Sequence, residues 1–584
     1  MSGEYWAYPE LFGLATNLKF LEGGQKRFFQ GLENSCYHSP DYKKGHSKLI
    51  EDWQYYWNHM ENKDYFPMRC VNFCPFAEDC DHDKNILNTC IKTRGRVLQF
   101  RKSDMITIEE AEVELKEKFQ EAITADDNSI YIIKAPPGIG KSENFLNLKN
   151  ALIATPRHDL NSELSERMEE AGNECLITPE IPDIGNVMKL YAVGAYSEAK
   201  REVHRLAKDG NSDAQKYLAQ LKAIENSKET TLITHERLLF SYKKIDRDVI
   251  LIDEDPFQSL FKIDTVLLND LEFLKFTLSD VRDKLILQRM IDDIKAAQPN
   301  TLYSMRDYVL HKPFVEYEQE LSGRLLMNQV KSNVFGFLNC DYYLISENGT
   351  VQFIKKRLLP KDKKVIIFSA TINEEIYRKM YGDRVKFLDI GNVQPMGKII
   401  QYADRSFSRY QLKDTPNHLN EIKEIIGAKP VITYKKFESE FQNTIATFGA
   451  LTGLNEFTGK DLNIVGTPHV NMNAYLLYGK ALGFSIRPED YNDVDYQRVK
   501  YNGMEFSFNA FSKNPDLRNL QFYLIESELV QAVGRARALR NRCTVTIYSN
   551  FPVPGAEYLP LKERLDEIRG GSGEVVWLLC WGKI

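Results

Sequence analysis

The chain has 584 residues, 43% of them hydrophobic and 27% charged, a composition that is ordinary for globular proteins and excludes an intrinsically disordered chain. Lys and Arg total 76 against 82 Asp and Glu, and the resulting charge of −6 argues against a protein that coats nucleic acid through charge alone. The length predicts about four domain-sized units. The sequence begins without a basic, apolar signal segment, and no run approaches the roughly 20 apolar residues of a membrane span. We therefore expect a soluble, cytoplasmic protein.

The first region, residues 1–105, contains a tight cluster of metal-ligand residue types. Short spacing between thiolates and an imidazole is typical of tetrahedral zinc sites, and four cysteines also fit a [4Fe–4S] cluster. Unligated thiols are the third interpretation. The pattern predicts an N-terminal Cys-rich domain that binds Zn²⁺ or, alternatively, a [4Fe–4S] cluster, with His82 as an alternative ligand to the last cysteine. The four cysteines are Cys70, Cys74, Cys80 and Cys90.

Aromatic and basic residues surround this cluster. Rings beside lysines can stack on bases and hold phosphates, although aromatic residues more often pack in a core. We hypothesise that the N-terminal domain helps to engage nucleic acid or a replication or repair protein. The residues in question are Trp53, Tyr55, Tyr56, Trp57, Tyr65 and Phe66, with Lys43, Lys44 and Lys48.

Residues 106–256 have the pattern of an α/β domain. Thr107 and Glu110 form a predicted capping box at the start of a helix. Short β-branched runs separated by helix-length segments predict a parallel sheet, which residues 361–395 complete. The predicted strands are 129–133, 151–154, 231–234, 249–252 and 365–368.

A phosphate-binding loop follows the first of these strands, at Ala135-Pro-Pro-Gly-Ile-Gly-Lys-Ser142. Gly138 and Gly140 let the backbone curl so that its N–H groups point at phosphate. Lys141 would reach the β- and γ-phosphates of ATP, and the Ser142 hydroxyl would hold Mg²⁺. A helix after the loop would direct the positive N-terminal end of its dipole at the same phosphate. The candidate nucleotide-binding residues are Pro137, Gly138, Ile139, Gly140, Lys141 and Ser142.

Carboxylates follow the strand 249–252, as Asp253-Glu254-Asp255-Pro256. Strand ends of this kind deliver side chains to the edge of the sheet where ligands of α/β folds bind. Asp253 would hold Mg²⁺, and Glu254 would polarise the attacking water.

Two further regions complete the predicted architecture. Residues 257–360 have a helical pattern and are interpreted as an insertion in the first domain. Residues 396–584 are predicted to form a second α/β domain. Its predicted strands are 431–434, 462–465, 520–525 and 544–548.

With these motifs in order, residues 125–550 resemble the superfamily 2 helicases, whose ATP site is split between two RecA-like domains. Ser369-Ala-Thr371 resembles their SAT element, and Gln531-Ala-Val-Gly-Arg535-Ala-Arg537 resembles their motif VI. The resemblance implies a catalytic set of Lys141, Asp253, Glu254, Gln531, Arg535 and Arg537. Arginine fingers of this kind stabilise the charge of phosphoryl transfer only when the two domains close. Ala538 stands where many members have their second arginine. The residues of motif VI resemble more closely those of Dicer-like and RIG-I-like members.

Three lesser elements follow the family order and imply contacts to nucleic-acid backbone, because hydroxyls and backbone N–H groups suit phosphates. They are Thr155-Pro156-Arg157, Thr234-His235 and Gly466-Thr467.

The position of the insertion loosely resembles the arch of XPD-type and DinG-type helicases, which favours DNA over RNA. In iron–sulfur relatives of XPD the cluster follows the phosphate-binding loop, whereas the cysteines here precede it. We expect an ATP-dependent helicase or translocase acting in replication, recombination or repair. The alternatives are an ATP-switched nucleic-acid sensor or loading factor, and a nucleotide-binding assembly module.

Overall fold

The computed structural model describes residues 8–20, 24–33, 46–61, 65, 67–75, 77, 98–99, 105–323, 329–451, 457–561 and 564. The chain divides into two units, Met1–Arg96 and Val97–Ile584. No helix within the described ranges is both long and apolar enough to cross a membrane.

The N-terminal unit is helical in its described part. Trp53 and Trp57 are buried in a core with Leu11 and Phe28, so these two indole rings pack inside the unit and cannot stack on a ligand. The Phe73 ring lies where a β-carbon on Gly13 would stand, which places the cysteine-bearing turn against the first helix. The elements are helices Tyr8–Leu18, Gly24–Glu33 and His46–Glu61, and the 3-10 turn Cys70–Asn72.

The second unit contains a seven-stranded, fully parallel sheet, which we call the first sheet. Alternate residues of each central strand enter two different cores: Ile130 and Ile132 pack on one face, Tyr131 and Ile133 on the other. Burial on both faces explains the continuous apolar runs in the sequence. The strands in spatial order are Val385–Asp389, Ile130–Lys134, Lys364–Ser369, Val249–Asp253, Ala151–Thr155, Thr231–Thr234 and Leu176–Ile177.

This order confirms the five strands predicted for the first domain and adds Val385–Asp389 and Leu176–Ile177. The predicted cap is also confirmed: Thr107 caps the helix Ile108–Thr124, with Glu110 completing the capping box. Because all strands are parallel, their carboxyl ends lie along one edge, and the loops that carry the predicted chemistry meet there.

The second parallel sheet has six strands, all within residues 396–584, for which the sequence predicts a second α/β domain. Together the two sheets give the α/β class with two RecA-like P-loop domains. An antiparallel hairpin, Val494–Tyr501 with Met504–Phe511, is joined by Leu98–Gln99. The six strands in spatial order are Thr444–Thr447, Val431–Thr433, Leu462–Val465, Thr544–Tyr548, Lys398–Tyr402 and Glu557–Leu559.

The prediction of a strand at residues 520–525 is wrong, because this segment lies inside the helix Pro515–Gly534. Every residue from Leu520 to Ile525 is buried, with Leu520 in one core and Phe522 in another. A helix covered on several sides loses the amphipathic period, and a short apolar run then cannot be distinguished from a buried strand.

The insertion lies between the strands Val249–Asp253 and Lys364–Ser369, and much of it packs in a core that it shares with residues 190–199 of the first domain. It is of mixed structure, since an antiparallel four-stranded sheet accompanies the predicted helical segments. The strands in spatial order are Phe261–Val266, Val351–Lys356, Tyr342–Ile345 and Leu302–Ser304. The helices are Phe257–Leu260, Leu268–Thr277, Val281–Ala296, Phe314–Gly323 and Val334–Leu338.

The remaining helices cover the two parallel sheets or connect their strands. They are His158–Glu170, Val187–Ala192, Tyr196–Lys208, Ser212–Asn226, His235–Ser241, Glu374–Tyr381, Arg409–Asp414, Pro416–Ile426 and Met472–Leu482.

Candidate active site

The phosphate-binding loop begins where the strand Ile130–Lys134 ends. Gly138 and Gly140 have φ of 85° and 97°, in the left-handed region that favours glycine, so the loop curls as the motif requires. Lys141 Nζ lies 3.3 Å from the carbonyl oxygen of Ala135, which folds the side chain back over the loop. Burial lowers the pKa of Lys141, while the charges of Asp253 and Glu254 oppose this effect. The lysine therefore faces the acidic segment, Asp253–Pro256.

The helix predicted after this loop is absent: residues Lys141–Phe145 form a 3-10 turn. The chain then turns through residues 146–150 into the strand Ala151–Thr155, which leaves no room for an α-helix. Anion binding here therefore depends on loop N–H groups and Lys141, because a single 3-10 turn does not sum enough peptide dipoles to act as a helix end.

Ser142 has a partner that the sequence did not reveal. Arg167, on the helix His158–Glu170, donates Nη1 to Ser142 Oγ at 3.0 Å and pairs with Glu143 at 2.5 Å. The charge of Arg167 also acts to lower the pKa of Asp253. A guanidinium thus faces the oxygen pair, Ser142 and Asp253, that the sequence assigns to Mg²⁺. Oxygen donors of this kind suit that ion.

The acidic segment follows the strand Val249–Asp253. Burial and the neighbouring Glu254 raise the pKa of Asp253 to about 6, and Lys141 and Arg167 act against them. Glu254 has φ of 68°, a left-handed conformation that is uncommon and strained for a residue with a side chain. Its N–H donates to Phe368 O at 2.8 Å, which ties the segment to the neighbouring strand.

The second domain delivers Arg535 to this segment. The arginine follows the helix Pro515–Gly534 directly, and its Nη2 lies 4.0 Å from Glu254 Oε1. Burial lowers the pKa of Arg535, with Glu254 opposing and Arg157 and Arg537 adding to the effect. Its Nε is buried without a hydrogen-bond partner among the residues that the structure describes. A half-buried guanidinium with a spare donor is suited to accept an anion.

Arg537 takes a different position from Arg535. It is exposed, has φ of 49°, and lines a cavity of about 480 Å³ with Pro136 and Pro137. Gly534, directly before Arg535, touches the loop itself, since a β-carbon on it would stand 2.7 Å from Pro137 Cβ. The end of the helix and the phosphate-binding loop are therefore in direct contact, with no space for a side chain between them.

Arg540 is a site residue that the sequence analysis missed. Its Nε and Nη2 donate to the carbonyl oxygens of Gly138 and Ile139 at 2.6 and 2.9 Å, and its guanidinium pairs with Glu112. Since the C=O and N–H of a peptide point in opposite directions, an arginine on these carbonyls orients the N–H groups that follow them. The only available signal was a third arginine shortly after motif VI.

The SAT element also contacts the second domain. Ser369 ends its strand, and Thr371 Oγ1 donates to Ser527 Oγ at 3.0 Å. Both Ser369 and Thr371 are buried. The helix Pro515–Gly534 therefore touches the first domain both at the phosphate-binding loop and at the end of the strand Lys364–Ser369, which lies between the strands that precede the loop and the acidic residues.

The residues assigned to nucleic acid fall into two groups. Pro156 and Arg157 line a cavity of about 410 Å³ between the domains, with Gln531, His235 and Glu254. The others have side chains engaged within their own domains. Thr155 Oγ1 lies 2.8 Å from Asn161 Oδ1, Thr234 caps the helix His235–Ser241, Gly466 packs on Tyr434, and Thr467 Oγ1 lies 2.9 Å from Asn550 Oδ1.

His235 is buried, with Nε2 donating to the carbonyl oxygen of Asp253 at 2.8 Å. Burial lowers the pKa of His235 to about 4, so the ring is neutral at pH 7. Its contact joins the strand that carries Asp253 to the helix that begins at His235.

Of the predicted metal ligands in the N-terminal unit, Cys80, His82 and Cys90 lie outside the described residues. Cys70 is buried and Cys74 is half-buried, and the N–H of Cys74 donates to the carbonyl oxygen of Cys70 at 2.7 Å. Within the part of the chain that the structure describes, no group of three or more His, Cys, Asp or Glu side chains is placed to hold a metal ion.

No protein-family model and no curated protein matches the sequence. Solved structures similar to it include an XPD helicase, with 14% identity and a TM-score of 0.49 over 78% of this chain and 100% of that one. S. tokodaii Xpd4 has 12% identity and a TM-score of 0.42 over 75% and 95% of the chains. S. cerevisiae Dbp5 bound to RNA and ADP BeF3 has 10% identity and a TM-score of 0.32 over 80% and 99%. Because these TM-scores are all below 0.5, the α/β architecture is assigned from the strand orders of the two sheets and not from these similarities.

Proposed function

We propose that this protein is an ATP-dependent nucleic-acid helicase or translocase of the superfamily 2 type. The observation that carries the proposal is the approach of Arg535 Nη2 to Glu254 Oε1, at 4.0 Å, across the boundary between two parallel α/β domains. Neither residue alone is diagnostic. An arginine supplied by one domain to the acidic strand end of another is the arrangement that makes hydrolysis depend on closure.

The roles follow from the residue chemistry. The loop N–H groups and Lys141 would bind the β- and γ-phosphates, and Glu254 would orient the attacking water. Ser142 and Asp253 would hold Mg²⁺, which supplies charge neutralisation at the phosphates when bound. Arg535 would stabilise the charge that develops on the γ-phosphate, and Arg537 and Gln531 would complete the second half of the site.

Nucleic acid is the proposed partner, with the cavity at Pro156, Arg157 and Gln531 as the proposed contact region. Its position beside Glu254 would let strand contacts and the ATP site influence each other. DNA is favoured over RNA by the place of the insertion, and replication, recombination or repair is the proposed setting. A cytoplasmic location belongs to the same proposal.

A metal site in the N-terminal unit is the remaining part of the proposal. Zn²⁺ is favoured and a [4Fe–4S] cluster is the alternative, because thiolate ligands fit both. Elemental mass spectrometry on protein purified without chelators decides between them, and finding neither zinc nor iron would end this part of the proposal.

ATPase activity measured in parallel with single-stranded DNA, duplex DNA and RNA tests the main proposal. We expect hydrolysis that at least one nucleic acid stimulates and that Lys141→Ala abolishes, while Lys149→Ala, an exposed lysine nearby, leaves it unchanged. Hydrolysis that no nucleic acid stimulates would contradict the proposal. Displacement of strands from tailed duplexes then separates a motor from an ATP-switched sensor or loading factor.

A further inference from the structure

Asp255, the third acidic residue of the segment, is held by two tyrosines. Tyr377 donates its hydroxyl to Oδ1 at 2.6 Å, Tyr523 donates to Oδ2, and the N–H of Phe257 donates to Oδ1 at 3.0 Å. No lysine or arginine pairs with this carboxylate within the described ranges. These donors therefore replace the water that would otherwise solvate the carboxylate. A buried carboxylate oxygen that loses its donor raises the free energy of the folded chain.

The two tyrosines belong to different domains. Tyr377 lies on the helix Glu374–Tyr381, which follows the SAT element, and Tyr523 lies on the helix Pro515–Gly534 of the second domain. Both are buried, at 0% and 1% exposure, so their hydroxyls cannot turn to water instead. When the second domain moves away, Tyr523 leaves, and one oxygen of Asp255 loses its donor.

Asp255 is joined directly to Glu254, whose backbone is in the strained left-handed conformation, with φ of 68°. The N–H of Glu254 is fixed by Phe368 O on one side. The side chain of Asp255 is the anchor on the other side. A strained conformation persists only where its surroundings hold it, so a change at Asp255 reaches Glu254 through one peptide bond.

Tyr523 and Arg535 share one rigid element. Along the helix Pro515–Gly534, Asn519, Tyr523 and Ser527 recur at a spacing of four residues, which places them on one face. Each contacts the first domain: Asn519 bonds Asn373 at 3.2 Å and Ser527 bonds Thr371 at 3.0 Å. A movement that withdraws Arg535 from Glu254 therefore withdraws Tyr523 from Asp255 as well.

We propose that the Tyr523–Asp255 hydrogen bond is a closure-dependent latch that holds Glu254 in its hydrolytic geometry, with Tyr523 as a positioning residue. The proposal rests on the proposed function, in which Glu254 orients the attacking water. Domain closure thus acts on ATP twice, by bringing Arg535 to the γ-phosphate and by fixing the residue that faces the water.

Tyr523→Phe tests the latch, since it removes one hydroxyl and keeps the ring. The matched control is Tyr501→Phe, which removes a hydrogen bond of 2.7 Å to Glu526 on the same helix and leaves the hydrogen bonds to Asp255 in place. We expect Tyr523→Phe to lower kcat for nucleic-acid-stimulated ATP hydrolysis about tenfold, with KM within about twofold, as for loss of one bond to a charged group. Tyr501→Phe should leave both constants within about twofold.

A double-mutant cycle with Asp255→Asn excludes a general packing effect. If the hydroxyl acts through Asp255, Tyr523→Phe should have little further effect on kcat in the Asp255→Asn background. Equal effects in both backgrounds, equal behaviour of Tyr523→Phe and Tyr501→Phe, or a rise in KM with unchanged kcat would each overturn the latch while leaving ATPase function intact. Wild-type protein without Lys141-dependent hydrolysis would instead overturn the proposed function, and the latch with it.

Discussion

Arg535 Nη2 and Glu254 Oε1 lie 4.0 Å apart although they belong to domains built on different parallel sheets. The glutamate is the side chain proposed to face the attacking water, and the arginine is the cation proposed to face the transferred phosphate. Their proximity places a guanidinium of the second domain beside the acidic strand end of the first domain. ATP would then stabilise this arrangement by pairing with a guanidinium that already points into the site.

Arg535→Ala should lower kcat on the order of 10³-fold, the lower end for loss of an arginine finger, because Arg535 is the arginine that lies 4.0 Å from Glu254. Steady-state ATP hydrolysis with saturating nucleic acid measures this. Arg542→Ala removes an exposed arginine from the same segment and should have no effect. Hydrolysis that survives Arg535→Ala would refute the assignment of the finger.

Arg540→Ala should raise KM for ATP about tenfold and change kcat less. The loss of two donors to the carbonyl oxygens of Gly138 and Ile139 leaves the loop less ordered before ATP binds, and at an exposed guanidinium we expect a total loss of about 1.4 kcal/mol, which is tenfold in binding. Glu112→Gln keeps those two bonds and should have a smaller effect. A fall in kcat at constant KM would instead place Arg540 at the reacting phosphate.

Gly534→Ala should prevent full closure, because the added β-carbon would stand 2.7 Å from Pro137 Cβ. We expect kcat to fall at least tenfold, since a shift of less than an ångström moves Arg535 away from the phosphate. Binding of a fluorescent ATP analogue should change by no more than about threefold, since the loop itself is intact. Wild-type hydrolysis in this variant would show that the contact is not needed for catalysis.

His235 predicts a specific dependence of stability on pH. Its pKa is about 4 in the folded chain against 6.5 for the ordinary side chain. Well above pH 6.5 the ring is neutral in both the folded and the unfolded chain, so it does not make the free energy of unfolding depend on pH. As the pH falls from 6.5 towards 4, the ring becomes protonated in the unfolded chain but stays neutral in the folded chain. The free energy of unfolding then falls by up to about 1.4 kcal/mol per pH unit.

Urea unfolding at pH 7.5 and 5.0 tests this prediction. His235→Gln removes the ionisable group and retains a donor for the Asp253 carbonyl, so it should lose less stability between these pH values than the wild type. His204→Gln, at an exposed histidine, should follow the wild type. Equal losses in all three proteins would mean that the buried ring titrates normally.

The parallel sheets could be predicted because short runs rich in β-branched residues mark their strands, as in the strands Thr231–Thr234, Leu462–Val465 and Thr544–Tyr548, whose limits match the prediction. The helix cap at Thr107 could be predicted because it depends on residues three apart. The helix Pro515–Gly534 could not, since packing between two cores removes the periodicity that distinguishes a helix from a strand.

The first half of the candidate site could be located by spacing along the chain, because Lys141, Ser142, Asp253 and Glu254 each end a predicted strand or follow one closely. Arg167, Tyr523 and Arg540 could not be found in this way. Each acts through a contact distant in sequence, on Ser142, Asp255 and Gly138 respectively, and none belongs to a local motif. Such partners become visible only in the folded structure.

The position of the strand Lys364–Ser369, between Ile130–Lys134 and Val249–Asp253, has a consequence for synthesis of the chain. The two strands that carry the phosphate-binding loop and the acidic segment have no direct pairing and must wait for a strand that the ribosome makes after the whole insertion. Throughout that interval the edges at which they later pair with Lys364–Ser369 are open, and open strand edges favour aggregation. Rapid, independent collapse of the insertion would shorten the delay, and a chaperone that recognises bare strand edges would have its target here.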